Sequence, residues 1–313
     1  MGYSVLQRRS ISPRERKHLM AHANDLILYQ RSGNYVPRIA AVHDLCGYGK
    51  CSLGVAIPVL SAAGCDVCSV PTSLFSAHTG FSQFYRYDTT PMLKGYLDAW
   101  KIHGVDLDAV YSGFLGSAEQ VSAIQRIYSE YPRALRIVDP VMGDGGEKYP
   151  TYTDEMCEAT RSLVDGADLL VPNLTEASIL TGIDYEGQDV SLGYTSRLAD
   201  ALLEMGAKNV VIKGAVRGDK KIYNFVCGRD FEGEELESEL LPFMIHGTGD
   251  LYASSLLAAI MCNKSLRAAV EFAGQFVVDA MRMTRHQPDF ELRGVSFESV
   301  LGEITALVGP EFR

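Results

Sequence analysis

The sequence of 313 residues has no uninterrupted apolar run that approaches the roughly 20 residues needed by a membrane-spanning helix. It has no internal repeat, which excludes collagen and solenoid architectures. Positive charge is scarce, since 29 Lys and Arg residues stand against 39 Asp and Glu residues, for a formal net charge of −10. Such a balance argues against a broad contact with nucleic-acid phosphates, but a few local groups can still hold a single nucleotide. We therefore expect neither a membrane nor a nucleic acid as partner.

The sequence also lacks the features of a secreted protein. Its first residues contain no hydrophobic core followed by a small-residue cleavage site. The seven cysteines are an odd number in a chain long enough to fold without disulfides, which predicts a reducing, cytoplasmic compartment. Cys65 and Cys68 have the spacing of a redox or metal-binding pair, but no second pair accompanies them. We interpret them as small buried residues of a strand.

What the sequence does contain is the composition of a globular protein, with 47% hydrophobic and 22% charged residues. Apolar runs alternate with amphipathic segments, a rhythm typical of an α/β fold with a mostly parallel sheet and helices on both faces. The predicted strands are 38–42, 65–70, 109–113, 135–139, 167–172 and 209–214. The predicted helices are 52–63, 91–103, 119–130, 191–205, 250–261 and 265–285. Residues 222–241 resemble meandering strands with polar turns and predict an antiparallel edge.

No linker interrupts residues 38–290, so we expect one α/β domain over 38–313. Residues 1–37 differ from the rest because they contain a polar stretch crowded with arginines. We interpret this segment as an N-terminal arm. The residues leave open whether it is a surface helix, a contact to a neighbouring subunit or a disordered leader.

Parallel α/β sheets bind ligands at the carboxyl ends of their strands, so the residues that follow each predicted strand matter most. The segment HGTGD (246–250) stands directly before a long apolar helix. Gly247 and Gly249 let main-chain N–H groups turn toward one point, and the helix N-terminus adds positive potential there. The segment therefore predicts an anion-binding cradle. Asp250 at its edge is either an N-cap or a catalytic carboxylate, and the residues alone leave both open.

A second segment, DPVMGDGGEKY (139–149), places Asp139 at the end of a strand and Asp144 in a glycine-rich turn. Two carboxylates across such a turn can hold hydrated Mg²⁺, which needs only one or two of them. A polar loop stabilised by Asx turns is the alternative. In a third segment, Asn173 ends a strand and Thr175 begins a helix, where capping and ligand binding are equally open. The chain has no P-loop motif, and no GxGxxG motif follows its first strand.

Taken in order, four segments resemble the pyridoxal kinase branch of the ribokinase-like superfamily: SGFLGSAEQ (112–120), DPVMGDGG (139–146), PNLTE (172–176) and HGTGD (246–250). FSAHTGF (75–81) also resembles that branch, where a similar stretch lies near the substrate. The resemblance covers residues 38–290, nearly the whole chain after the arm. It implies a single ribokinase-like domain.

The resemblance also implies roles for residues at matching positions. Asp250 corresponds to the general base for the substrate hydroxyl. The backbone that holds the transferring phosphoryl group corresponds to Gly247, Thr248 and Gly249. The positions near the nucleotide phosphates are Asp139, Asp144, Asn173, Glu176 and Lys213. The implied metal ligands among them are Asp139, Asp144 and Glu176.

On the substrate side, the resemblance places Thr79 beside the pyridine ring and Phe114 at the mouth of the pocket. The chain departs from the family after the first strand, where Asp44 stands in place of the usual serine. An aspartate there fits a pocket that prefers pyridoxamine, because a carboxylate can meet an ammonium group. The same alignment places Lys50 and Cys51 near the ring. Cys51 is then either a pocket residue able to react with an aldehyde or a small buried residue.

These matches imply an ATP- and Mg²⁺-dependent kinase of the 5′-hydroxymethyl group of pyridoxal, pyridoxamine or pyridoxine. A monovalent cation is a further candidate cofactor, and the resemblance suggests a homodimer. One alternative is hydroxymethylpyrimidine kinase, which uses the same fold and a similar ring with a hydroxymethyl group. The other is a non-catalytic B6-binding protein, which is disfavoured because a binder needs no base beside the cradle.

Overall fold

The computed structural model describes residues 26–218 and 220–310. The strands are β1 (Arg38–Cys46), β2 (Asp66–Phe75), β3 (Arg86–Asp88), β4 (Ala109–Ser112), β5 (Leu135–Val138), β6 (Gly143–Asp144), β7 (Glu147–Lys148), β8 (Leu169–Leu170), β9 (Asn209–Val216), β10 (Lys221–Gly228) and β11 (Phe231–Glu239). The helices are α1 (Leu53–Ala62), α2 (Thr90–Ile102), α3 (Ala118–Glu130), α4 (Asp154–Arg161), α5 (Leu174–Thr181), α6 (Leu192–Glu204), α7 (Thr248–Met261), α8 (Leu266–Thr284), α9 (Phe290–Arg293) and α10 (Leu301–Leu307), with a 3₁₀ turn at Glu298–Val300. Among these helices, none combines the length and the apolar character that crossing a membrane requires.

Nine of the strands form one sheet in the order β11-β10-β9-β8-β5-β4-β1-β2-β3. The six strands from β9 to β2 pair in parallel, and their apolar sequences follow from burial on both faces. β10 and β11 run antiparallel at one edge, as residues 222–241 predicted. β3 adds a second antiparallel edge beside β2, which the sequence did not indicate. The predicted fold class is confirmed.

Helices cover both faces because successive residues of a strand point to opposite sides of the sheet. Ala40 and Val110 lie in the core shared with helices α2 to α6, whereas Ile39 and Tyr111 lie in the core shared with α1, α7, α8 and α10. α7 is buried along almost its whole length, which explains why its sequence is apolar on all sides.

β1, β2 and β9 extend beyond their predicted ends, and the first two extensions matter for the site. β1 continues to Cys46 and β2 to Phe75, so that Asp44 belongs to a strand and not to the loop after it. The β1–β2 register shifts between His43 and Leu45, next to Asp44. Such irregularities are common beside active sites, where they re-aim a side chain.

The described part of the arm, residues 26–37, has no helix and packs on the domain. The Arg31 guanidinium donates to the carbonyl oxygens of Ala63 and Gly64, both at 3.1 Å. Tyr29 donates to Asp108 at 3.1 Å. The polar, arginine-rich stretch of the arm lies outside the described residues.

Candidate active site

The carboxyl ends of β1, β4, β5, β8 and β9 meet at one edge of the sheet, and a cleft of about 470 Å³ runs across them. The strand order reverses at β1, which lies between β2 and β4, and such switch points are where open α/β sheets bind ligands. All of the predicted site residues except Lys50 line this one cleft: Asp44, Cys51, Thr79, Phe114, Asp139, Asp144, Asn173, Glu176, Lys213, Gly247, Thr248, Gly249 and Asp250.

Asp250 lies in the first turn of α7, whose N-cap is Gly247 in the left-handed conformation with φ of 85°. Asp250 Oδ2 accepts a hydrogen bond from the main-chain N–H of Ser52 at 3.0 Å. The carboxylate therefore bonds to another segment, and the N-cap interpretation of Asp250 is wrong. Burial raises the pKa of Asp250, while the Ser52 N–H and the Lys213 ammonium act in the opposite direction. This shift moves the carboxylate toward the range in which general bases operate.

Gly247 holds the N-terminus of α7 close to the loop before α1. A Cβ on Gly247 would lie 2.0 Å from the Lys50 carbonyl oxygen, so only glycine fits there. The first N–H groups of any helix have no partner within the helix. Since Gly247, Thr248 and Gly249 line the cleft, these donors and the helix dipole can hold an anion there.

Asp139 and Lys213 form a charged pair at the centre of the cleft. Lys213 Nζ donates to Asp139 Oδ1 at 2.8 Å, and the two side chains are only 11% and 1% exposed, respectively. Burial raises the pKa of Asp139 to about 6, although Lys213 lowers it. Burial alone would lower the pKa of Lys213, but the carboxylates of Asp139 and Glu176 outweigh burial and raise it. Lys213 therefore stays a cation, next to Gly249 of the α7 N-terminus.

Asn173 and Glu176 form a capping box at the start of α5. The Asn173 side chain accepts from the Glu176 N–H at 2.8 Å, and Glu176 Oε2 accepts from the Asn173 N–H at 2.7 Å. Glu176 Oε1 accepts from the Met142 N–H at 3.2 Å. Burial raises the pKa of Glu176 to about 8. The capping alternative is thus realised, and the same two residues also line the cleft.

Asp144 is exposed on the β6–β7 hairpin, whose turn residues Gly145 and Gly146 have φ of 61° and 87°. Its Oδ1 accepts the Gly145 N–H at 2.8 Å, as a polar turn predicts. Asn173 Nδ2 donates to the Gly143 carbonyl at 2.8 Å and anchors the hairpin at the cleft. Within the described ranges, no three Asp, Glu, His or Cys side chains converge on a metal-sized site. The predicted set of three metal ligands is therefore not preformed.

Asp44 is a buried carboxylate, 4% exposed, that also lines the cleft. Its Oδ1 accepts from the Ser52 hydroxyl at 2.5 Å. Burial raises the pKa of Asp44 to about 7; the Ser52 hydroxyl lowers it and the neighbouring Asp250 raises it further. We call this part of the cleft the Asp44 end; its lining residues include Asp44, Cys51, Ser52, Phe75, Thr79 and Phe114.

An aromatic wall closes the Asp44 end. Phe114 is 8% exposed and packs against Phe75 and Tyr152, with ring centroids 6.0 and 6.1 Å apart. Phe84 extends the wall at 5.8 Å from Phe75. Flat apolar side chains of this kind suit a flat aromatic ligand.

The predictions for Cys51 and Lys50 at this end have different outcomes. Cys51 is buried and lines the cleft, so both of its interpretations hold in part. Lys50 does not approach a ring site, because its Nζ pairs with Glu298 at 2.6 Å and with Ser296 at 3.0 Å. Its predicted position is wrong, because these two contacts hold the ammonium away from the cleft lining.

Among the lining residues that were not singled out from the sequence are Ser52, His78 and His246. Ser52 had no signal beyond its place before a helix. His78 belongs to the FSAHTGF segment; its Nε2 lies 2.6 Å from the Leu292 carbonyl oxygen, and its Nδ1 accepts the Gly80 N–H at 3.1 Å. His246 stacks on His78 with ring centroids 4.1 Å apart. Their contacts depend on distant segments, which a local motif does not show.

The other part of the cleft, which we call the apolar end, lies between the β10–β11 edge and α8. Its lining residues include Val216, Ile222, Leu240, Phe243, Val277 and Met281. Lys213 and the N-terminus of α7 line the same cleft. The cleft therefore combines an apolar surface, a polar end and a place for an anion.

Comparisons with known proteins agree with this arrangement. A family model described as phosphomethylpyrimidine kinase matches residues 56–292. The pyridoxine/pyridoxal/pyridoxamine kinase of Bordetella avium is 32% identical over 81% of this chain and 88% of its own length. The hydroxymethylpyrimidine/phosphomethylpyrimidine kinase of Bacillus subtilis is 30% identical over 56% of this chain and 64% of its own.

Solved structures show the same relationship. A Bacteroides thetaiotaomicron protein, described as a putative phosphomethylpyrimidine kinase and crystallised with pyridoxal, has a TM-score of 0.82 at 32% identity and covers 86% of this chain and 96% of its own. Pyridoxal kinase from Lactobacillus plantarum has a TM-score of 0.81 at 28% identity, covering 87% and 98%.

Fold and site together define a small-molecule kinase of the ribokinase-like class. The chain belongs to the phosphomethylpyrimidine kinase family, in which relatives named as pyridoxal kinases share most of its length. The predicted resemblance to pyridoxal kinases is confirmed.

Proposed function

We propose that the protein transfers the γ-phosphoryl group of ATP to the 5′-hydroxymethyl group of a vitamin B6 vitamer. The observation that carries the proposal is the position of Asp250, a carboxylate fixed by Ser52 beside the N-terminus of α7 and inside the cleft. Relatives and the pyridoxal-bound neighbour support the vitamer class.

The geometry supports a mechanism of positioning and charge neutralisation. Asp250 accepts the proton of the hydroxymethyl group as the hydroxyl oxygen bonds to the γ-phosphorus, and the bond from the γ-phosphorus to the β-phosphate oxygen breaks to release ADP. The N–H groups of Gly247, Thr248 and Gly249 stabilise the negative charge on the transferring group. Lys213, held by Asp139, contacts the phosphates from the other side. The apolar end holds the adenine ring by burial of its faces.

Mg²⁺ is part of the proposal, and the donor set fits it. Carboxylates outnumber cations at the centre of the cleft, where Asp139, Glu176 and Asp250 face the single Lys213, and burial raises the pKa of each carboxylate. Asp139 and Asp144 would hold the ion, with the nucleotide and water completing its ligands. When bound, it would neutralise phosphate charge. Glu176 would be the third ligand, because each of its oxygens accepts one main-chain N–H and keeps another lone pair. A bound monovalent cation stays a prediction.

At the Asp44 end, Asp44 would recognise an amine on the substrate, with Phe114 and Cys51 against the ring and Thr79 at its edge. The carboxylate of Asp44 favours pyridoxamine, which carries an amine, over pyridoxal. Asp44→Ser should therefore raise the relative kcat/KM for pyridoxal, and an unchanged ratio between the two vitamers would remove this assignment. Hydroxymethylpyrimidine kinase is the second candidate, because the Bacillus subtilis relative carries that name and an aminopyrimidine would also offer an amine to Asp44.

We further propose a homodimer that pairs at the β3 edge. Tyr87 on β3, Tyr85 just before it and Leu74 on the neighbouring β2 are 54%, 69% and 41% exposed, and exposed aromatic residues at a sheet edge suit a second copy. Light scattering should show a dimer that Tyr87→Glu weakens; a monomeric wild-type protein would contradict this part. We also infer a single domain over 38–313 with an arm before it, and a cytoplasmic location that fits the seven free thiols.

The deciding experiment assays purified protein with MgATP on pyridoxal, pyridoxamine, pyridoxine and hydroxymethylpyrimidine. We expect phosphorylation of the B6 vitamers with a higher kcat/KM than that of the pyrimidine, and little turnover in Asp250→Asn. Preference for the pyrimidine would support the second candidate. Binding of a vitamer without turnover would indicate a non-catalytic binding protein.

A further inference from the structure

Ser52 occupies a backbone conformation that serine rarely adopts. Its φ of 52° and ψ of −128° fall in a region favoured by glycine, and the residue is 4% exposed. Strain of this kind clusters at functional sites, where the surrounding structure must offset it. A serine at the start of a helix usually caps it, but the Ser52 side chain makes no capping bond to α1.

The polar groups of Ser52 reach two carboxylates instead. Its hydroxyl donates to Asp44 Oδ1 at 2.5 Å, and its main-chain N–H donates to Asp250 Oδ2 at 3.0 Å. Asp44 comes from β1 and Asp250 from α7, so that one residue ties two elements together inside the cleft. Glycine would relieve the strain at this position, yet it would lose the hydroxyl.

We propose that Ser52 is a positioning residue, whose N–H fixes the base Asp250 and whose hydroxyl holds Asp44 in the charged form that recognises a substrate amine. The inference rests on the proposed function, from which it takes the base and the amine contact. The titratable and charged groups that act on Asp44 from neighbouring segments are Asp250, Arg86, Cys46 and Cys51.

Ser52→Gly tests the hydroxyl alone, because glycine keeps the N–H and accepts the backbone angles. The profiles of kcat/KM against pH are measured for pyridoxamine and pyridoxine. The variant loses the donor that favours the charged carboxylate, so the acid limb of the pyridoxamine profile should move up by about one pH unit. At pH 7 the ionised fraction of Asp44 should fall from about a half to about a tenth, so kcat/KM should fall about fivefold for pyridoxamine and less for pyridoxine. The melting temperature should stay equal or rise.

Two controls separate positioning from structural roles. Ser61→Ala removes the hydroxyl of an exposed serine in α1 and should leave both profiles unchanged. In an Asp44→Asn background, Ser52→Gly should add no further loss for pyridoxamine, because the carboxylate through which the hydroxyl acts is gone. Ser52→Ala keeps the Cβ, loses the same hydroxyl and should show the same shift of the acid limb.

An unchanged pH profile and vitamer ratio in both Ser52 variants would overturn the proposal. So would additive losses in the Asp44→Asn background, or the failure of both variants to fold, since either result would make Ser52 a structural residue. Failure of the proposed function is a separate result: it would appear as an active Asp250→Asn protein or a wild-type protein that phosphorylates no vitamer.

Discussion

The Asp44 end and the apolar end of the cleft bind by opposite means. At the Asp44 end, two carboxylates from β1 and α7 share the hydrogen-bond donors of Ser52. At the apolar end, side chains such as Val277 and Met281 offer only surface area. The difference indicates that the Asp44 end, and not the apolar end, lowers the stability of the fold. Buried charge is costly unless it is paired, whereas apolar lining costs little, so the chemistry is concentrated where the strain and the raised pKa values lie.

The largest effect is expected from Asp250→Asn. Asparagine still accepts the Ser52 N–H, so the melting temperature and vitamer affinity should change little. The amide cannot take the hydroxyl proton, and kcat should fall by about 10²–10⁴-fold. Steady-state kinetics and thermal unfolding measure both. A variant that keeps more than about a tenth of wild-type kcat would contradict the role of base.

The second-largest effect is expected from Lys213→Met, at the centre of the cleft. This change leaves Asp139 buried without its partner, and the loss of one member of a buried pair costs about 3–5 kcal/mol of unfolding free energy. Urea unfolding measures the loss. The double variant Lys213→Met/Asp139→Asn should recover much of the stability but not the use of ATP. If the double variant is as unstable as the single one, the pair is not the cause.

Asp44→Asn tests whether the buried carboxylate of Asp44 lowers the free energy of unfolding when it is charged. The pKa of Asp44 is about 7 in the folded protein and lies above its ordinary value, so the folded state binds more protons between about pH 4 and pH 7. The contribution of Asp44 to the free energy of unfolding therefore falls as the pH rises through that window. Asparagine does not titrate, so the variant should not show this fall. At pH 8 the variant should be more stable than wild type by roughly 2–4 kcal/mol, a difference that shrinks toward pH 4. Equal differences at both pH values would show that Asp44 titrates normally.

The smallest effect is expected from Asp144→Ala. The side chain is exposed and its local bond lies within its own turn, so the unfolding free energy should stay within about 0.5 kcal/mol. The KM for MgATP should rise by up to about tenfold, while vitamer binding stays the same. The matched control is Glu147→Ala on the adjacent strand of the hairpin. Unaltered dependence of the rate on magnesium and ATP would show that Asp144 has no role in binding MgATP.

The fold could be predicted from the sequence because its strands are continuous apolar runs, and buried parallel strands leave that local pattern. The anion-binding cradle at 246–250 could also be predicted, since two glycines directly before an apolar helix are typical of such a site. Ser52 and the His78–His246 stack could not be found in this way. Their partners come from segments that are distant in the chain, and a serine before a helix predicts a cap. The β3 edge was missed because three polar residues leave no pattern.

β11 forms the outer edge of the sheet and pairs with β10 on one side only, yet residues near its end also line the cleft beside α8. The same segment therefore belongs to the edge of the sheet and to the apolar end of the cleft. A molecule seated at that end would slow amide hydrogen exchange along β10 and β11, far from any reacting atom. Hydrogen exchange at this edge of the sheet would then report whether the cleft is occupied.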